Sequence, residues 1–181
     1  SFRVRRGRVV NEILEQAPSA DLVVLGRLGR TLSRAKIGST VRSLIEQGRG
    51  LTLIIKEGLR LLPPVITIYD GSALSLRAVD IASHIARAIE GSLEILIPTH
   101  TEAEFIKLRD AVLAEARKSA QMEGMQLGFR RIRTDVASAL ATVLSLAFRQ
   151  PVVLPVNTID GDAEKIQRLI NCYENPVLLV R

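Results

Sequence analysis

Short apolar runs of strand length alternate along this chain with longer stretches whose apolar residues recur every three or four positions. Leu22-Val23-Val24-Leu25 is a four-residue apolar run of the kind a buried strand shows. Ser39–Gln47 follows with Val41, Leu44 and Ile45 at helical spacing, and Leu51–Lys56 reads as the next strand. Before them, Phe2–Arg5 reads as a strand and Val9–Ala17 as a helix with Val9, Val10, Ile13 and Leu14 on its apolar face. Pro63-Pro64 punctuates the chain and marks a boundary.

A complete series follows that boundary. Strands are expected at Val65–Tyr69, Leu93–Ile97, Leu127–Arg133, Val152–Leu154 and Val177–Val180. Helices are expected at Ser72–Glu90, Glu102–Glu123, Val136–Phe148 and Ala163–Cys172. The first shows Ala78, Ile81, Ala82, Ile85, Ala86 and Ile89 on one face, and the second Phe105, Leu108, Val112, Leu113 and Ala116. Strand and helix in alternation predict an α/β fold, a doubly wound parallel sheet of five strands covered on both faces.

An internal repeat divides the chain. Val23-Val24-Leu25 aligns with Val152-Val153-Leu154, and Leu51–Lys56 with Pro176–Arg181, the second copy being four residues shorter between them. Phe2–Ala17 corresponds to Leu127–Ala147, while Val65–Glu123 has no counterpart ahead of Ser1. Residues 1–60 are therefore expected to be the later part of one unit and 61–181 a second whole one. A unit lacking its front half would carry unpaired strand edges, so the chain is expected to belong to a longer molecule.

The core must be aliphatic, because aromatics make up 3% of the residues and there is no Trp. No apolar run approaches the ~20 residues a membrane helix needs, and the start of the chain is basic and alternating, unlike a signal peptide. Cys172 is the lone cysteine, so no internal disulfide can form and a reducing cytoplasm is the simplest location. The net charge of +6 is unevenly spread. Residues 1–60 hold 12 Lys and Arg against 5 Asp and Glu, whereas 61–181 hold 13 against 14.

The basic excess coincides with the most suggestive motif. Gly26-Arg27-Leu28-Gly29-Arg30 follows the strand at Leu22–Leu25, and Gly38-Ser39-Thr40 opens the next helix, with Arg34 and Lys36 between. Glycines allow close backbone approach to an anion, and the N–H groups of a helix start point toward it. An ordinary strand–loop–helix connection and a solvated basic surface read the same residues without a ligand.

Other candidates are thinner. Asp160, Asp162 and Glu164 form an acidic cluster that suits the start of the following helix better than a metal. His84 and His100 lie far apart with no paired Ser or Cys, so a hydrolytic triad is unsupported, and Cys172 reads as a buried structural thiol. Arg3–Arg8 and Arg130–Arg133 are basic, but the aromatics that single-stranded nucleic acid would stack on are scarce.

At this point the chain resembles the universal stress protein family in its tandem two-domain form. Ala20–Arg30 looks like the family's fourth strand and glycine turn, Gly38-Ser39-Thr40 through Lys56 like its closing element, and Val65–Ser72 like its opening strand. The resemblance implies an adenine nucleotide alpha hydrolase-like sheet of five strands per domain, with two domains pairing through their last strands, here Leu51–Lys56 and Val177–Val180. It implies ATP or a related nucleotide bound by Gly26, Arg27, Gly29, Arg30, Gly38, Ser39 and Thr40. The loop departs from the family pattern by one residue between Gly29 and Gly38. The family's nucleotide-contacting Asp belongs to the opening strand of the same domain as the loop. Asp70 instead sits in the second unit, where Pro155 and its neighbours replace the glycines, so that unit reads as a degenerate partner and Asp70 as a helix cap. The expectation is a cytoplasmic, nucleotide-binding stress-response module rather than an enzyme, with a homo-oligomer or an intramolecular pseudo-dimer as its assembly. The alternative is a scaffold that binds no nucleotide and works through domain pairing.

Overall fold

A computed structural model of the chain describes residues 6–26, 37–56, 58–120, 122–133, 135–146, 149–159, 163–173 and 175–181. The strands are β1 (Val23–Gly26), β2 (Thr52–Ile55), β3 (Val65–Ile68), β4 (Leu93–Pro98), β5 (Leu127–Ile132), β6 (Val152–Pro155) and β7 (Val177–Val180). The helices are α1 (Val9–Gln16), α2 (Ser39–Gln47), α3 (Ala73–Ala88), α4 (Glu102–Ala116), α5 (Val136–Leu146) and α6 (Ala163–Cys172). Short 3-10 turns occupy Ala17–Ser19 and Val156–Ile159.

The strands form one sheet in the order β1-β2-β7-β6-β3-β4-β5. All neighbours run parallel except β2 and β7, which are antiparallel with Leu53 opposite Leu178. The last five strands build the doubly wound α/β sheet that the alternation predicts, and β1–β2 extend it past β7.

Each face of the sheet has its own core. On one, Val41 and Ile45 of α2 meet Ile54, Leu154, Leu179 and the Ile166 and Ile170 stripe of α6. On the other, Ala78, Ala82 and Ala86 let α3 lie close over Val65, Val153 and Leu178. Burying each Leu, Ile or Val side chain contributes about 1.5–3 kcal/mol, so the fully buried strands β3, β6 and β7 anchor the fold.

Three sequence expectations change. Helix α4 stops at Ala116 rather than Glu123; the chain then turns through Gly124 at φ +71°, which folds Met122 back into the core. Helix α1 fully buries no residue: Val10, Ile13 and Leu14 are half-buried and Val9 is 62% exposed. Cys172 is exposed rather than buried, because the inward stripe of α6 runs through Ile166, Leu169 and Ile170 and Cys172 falls off it. The strand expected at Phe2–Arg5 lies outside the described residues. No described helix is long and apolar enough to cross a membrane.

Candidate functional site

In an open parallel sheet, ligands settle at the carboxyl ends of the strands, where backbone N–H groups of the next helix face the crevice. This chain has two such corners related by its repeat, one between β1 and α2 and one where β3 and β6 end side by side.

At the first corner β1 ends on exposed Gly26, and α2 begins with Gly38 in the N-cap position. Gly38 is extended at φ −61° and ψ 155° and brings no side-chain cap. Its carbonyl accepts from the Arg42 amide at 3.1 Å. Ser39 is exposed and Thr40 half-buried, so the hydroxyl and first-turn amides of α2 stand at the open end of the strand. The corner is pinned from behind by the Ile37 amide, which donates to Asn171 Oδ1 of α6 at 2.8 Å. Thus Gly26, Gly38, Ser39 and Thr40 fall at one corner, while Arg27, Gly29 and Arg30 lie outside the described residues.

At the second corner the polar groups satisfy one another. Gly71, at φ +89°, turns the chain so that the Ser72 amide donates to Asp70 Oδ1 at 2.9 Å. Ser72 caps α3 by accepting from the Ser75 amide at 3.1 Å, and Ser75 Oγ donates to the Ser72 carbonyl at 2.9 Å. Partial burial raises the Asp70 pKa, but hydrogen bonds from Ser72 and Ser75 outweigh it and hold the carboxyl below its ordinary value. The Tyr69 phenol is pushed up by burial and by the Asp70 and Glu115 carboxylates, so it stays neutral. Where β6 ends, Pro155 leads into a 3-10 turn, and Asn157 Nδ2 reaches Ser72 Oγ at 3.3 Å. A hydrogen bond therefore joins the exits of β6 and β3 across the place a ligand would enter.

The remaining candidates separate. His84 is half exposed and 4.0 Å from Asp80 on its own helix, and His100 is exposed in a turn. Asp160 and Asp162 lie outside the described residues, and no group of three metal-ligating side chains occurs among the described ones. Arg130 pairs with Glu94 at 2.7 Å and Arg131 with Glu102, so these two cations of the β5 edge are held by acids.

Sequence reasoning missed the bonds that tie α2 to α6 and to the residue after β7. Gln167 Nε2 donates to Glu46 Oε1 at 3.0 Å, joining α6 to α2. Arg181 Nη2 donates to the Ile45 carbonyl, so the last strand carries a cation to the carboxyl end of α2, where the helix dipole favours it. Burial lowers the Arg181 pKa. No local pattern signals contacts between residues this far apart; only the repeat register could have suggested them.

No family model matches this sequence, and no curated protein matches it. Solved structures do. A universal stress protein from Archaeoglobus fulgidus superposes with a TM-score of 0.69 at 16% identity, covering 95% of this chain and 64% of that one. A candidate universal stress protein from Pseudomonas aeruginosa gives 0.62 at 18% identity, covering 97% and 69%. The cytoplasmic domain of a prokaryotic cation chloride cotransporter gives 0.51 at 11% identity, covering 94% and 67%. This chain therefore has the universal stress protein fold, and it spans 64% of the length of the Archaeoglobus chain.

Proposed function

We propose that the chain is part of a tandem universal stress protein in which the β1–α2 corner takes the phosphates of ATP or a related nucleotide, and the β3–β6 corner serves as a structural partner. The observation that carries this reading is the contrast in helix starts. Helix α2 begins at Gly38 with no side-chain cap, beside a glycine strand exit, whereas α3 is capped by Ser72 and its corner is bridged by Asn157. Donors already satisfied by protein have little left for an anion; the first turn of α2 keeps its amides and the Ser39 hydroxyl for one. The excess of Lys and Arg in residues 1–60 adds a field of the matching sign.

The same reading makes this a binding and regulatory module of the cytoplasm rather than a catalyst. His84 lies 4.0 Å from Asp80 on its own helix and lines the apolar cavity beside Leu51 and Leu53, and His100 stands exposed in its turn, so the reading gives neither a general-base role on a bound nucleotide.

Titration calorimetry of ATP into the wild type and Gly38→Asp tests the assignment. The Gly38 backbone suits Asp, itself a good N-cap, so the variant should fold while its carboxylate repels phosphate. The expected result is a loss of at least about tenfold in affinity, or roughly 1.4 kcal/mol. Unchanged affinity would remove the cradle.

A scaffold without nucleotide is the second reading, favoured by one feature: the units join through the β2–β7 pair, reinforced by Ile37–Asn171 and Glu46–Gln167. An ATP titration with no heat in the wild type would move this reading ahead.

A further inference from the structure

The starts of α2 and α3 are set in place by different means. At α3 the ties are local: the Ser72 amide donates to Asp70 Oδ1, Ser72 Oγ accepts from the Ser75 amide, and the Asp70 amide donates to Ser75 Oγ at 3.3 Å. At α2 the N-cap is Gly38, which has no side chain to offer. One residue earlier, the Ile37 amide donates to Asn171 Oδ1 at 2.8 Å, across 134 residues of sequence. The Ile37 side chain is 4% exposed and packs in the core with Val41, Ile45, Ile166 and Ile170. Amide and side chain together fix the direction in which the backbone enters α2. They therefore fix where the first-turn amides of Ser39, Thr40 and Val41 point.

The chemistry of Asn171 suits that place. A carboxylate would accept more strongly from the Ile37 amide. It would also put a negative charge in the last turn of α6, the unfavourable end of that helix, and beside the positive start of α2. A neutral acceptor holds Ile37 and leaves the field of α2 undiminished for an anion. The internal repeat supplies the comparison. At the offset that aligns Leu51–Lys56 with Pro176–Arg181, Asn171 matches Glu46 of α2. Glu46 Oε1 accepts from Gln167 Nε2 at 3.0 Å, in the first half of α6. At matching positions, then, an acid reaches toward α6 and a neutral amide toward α2, the helix that starts without a side-chain cap.

We propose that Asn171 is the positioning residue of the β1–α2 corner: it aims the first-turn amides of α2 at a phosphate while adding no charge of its own, so the affinity of that corner is set from α6. The inference rests on reading this corner as the phosphate site. Asn171 acts through Ile37 and touches no ligand itself.

The test is calorimetric titration of ATP into the whole chain at about 0.05 M and about 0.5 M salt. Wild type, Gly38→Asp, Asn171→Ala, Asn171→Asp and Gln167→Ala are compared, with circular dichroism to verify folding. Asn171→Ala should weaken ATP binding by roughly fivefold or more at both salt concentrations, and hydrogen exchange at the Ile37 amide should quicken. Asn171→Asp keeps an acceptor for that amide, so exchange there should stay slow. Its added charge should still weaken ATP binding by about tenfold at low salt and only about twofold at high salt. Gln167→Ala breaks another bond between the same two helices, away from the corner, and should bind ATP as the wild type does. Three results would overturn the assignment alone: undiminished affinity in Asn171→Ala where Gly38→Asp loses it, an equal loss in Gln167→Ala, or a deficit in Asn171→Asp that salt does not relieve. A wild type that takes up no ATP would instead remove the phosphate reading, and the role of Asn171 with it.

Discussion

The strand pairs β1–β2 and β6–β7 share sequence pattern, register and helix, yet they differ in what surrounds them. In β6 and β7 all eight residues are buried. In β1 none is, and in β2 burial alternates. The helix starts differ the same way: α3, α4 and α5 are capped by Ser72, Thr101 and Asp135, while α1 and α2 begin on Arg8 and Gly38 without side-chain caps. One half of the sheet is built for stability. The other leaves strand residues exposed and helix starts without side-chain caps, the kind of less stable element on which the proposed binding would draw.

The contrast is broken most sharply by placing one charge at matched positions. Val153→Glu buries a carboxylate with no partner and is expected to cost about 4 kcal/mol or more, while Val24→Glu should stay within about 0.5 kcal/mol. Urea unfolding of the two variants reads the difference directly. Next comes Ile54→Ala, which hollows the junction where β2 meets β7 and should cost about 2–4 kcal/mol. Hydrogen exchange should then show β1–β2 opening before β3 and β6.

Smaller effects sharpen the comparison of the two corners. Ser72→Ala removes the α3 cap and should cost about 1 kcal/mol by the same unfolding measurement, whereas Gly38→Asp should stabilise α2 by a few tenths of that. The smallest effect is in acid. The Asp70 pKa is lowered in the folded state, so its stabilisation is complete above the ordinary carboxylate value and is lost as pH falls through the folded value. Thermal unfolding of wild type and Asp70→Asn below about pH 4 should therefore converge, and diverge at neutral pH.

Much of this was legible because periodicity reports burial in a helix. The bounds of α2 and α6 and the stripes Val41-Leu44-Ile45 and Ala78-Ala82-Ala86 follow from spacing alone. The family resemblance also implied that Leu51–Lys56 and Val177–Val180 would meet, and β2 does pair with β7. The contrast between β1 and β6 could not be read: Val-Val-Leu stands in both, and only the tertiary neighbours decide that Val153 is covered and Val24 is not. The cap of α3 is Ser72 and not Asp70 as the sequence suggested, because the helix begins at Ala73 and Asp70 instead accepts from the Ser72 amide; the hydrogen bond from Asn157 to Ser72 joins residues distant in sequence. Cys172 was misplaced because an apolar neighbourhood in sequence was taken for burial, when the angle around α6 decides it.

The division of labour between the corners is tested most directly by an amide-resolved NMR titration of the chain with ATP. The account predicts shifts concentrated at Gly26, Gly38, Ser39 and Thr40 that disappear in Gly38→Asp, with Asp70, Ser72 and Asn157 unmoved. Shifts centred on Asp70 and Asn157, or none at either corner, would contradict it.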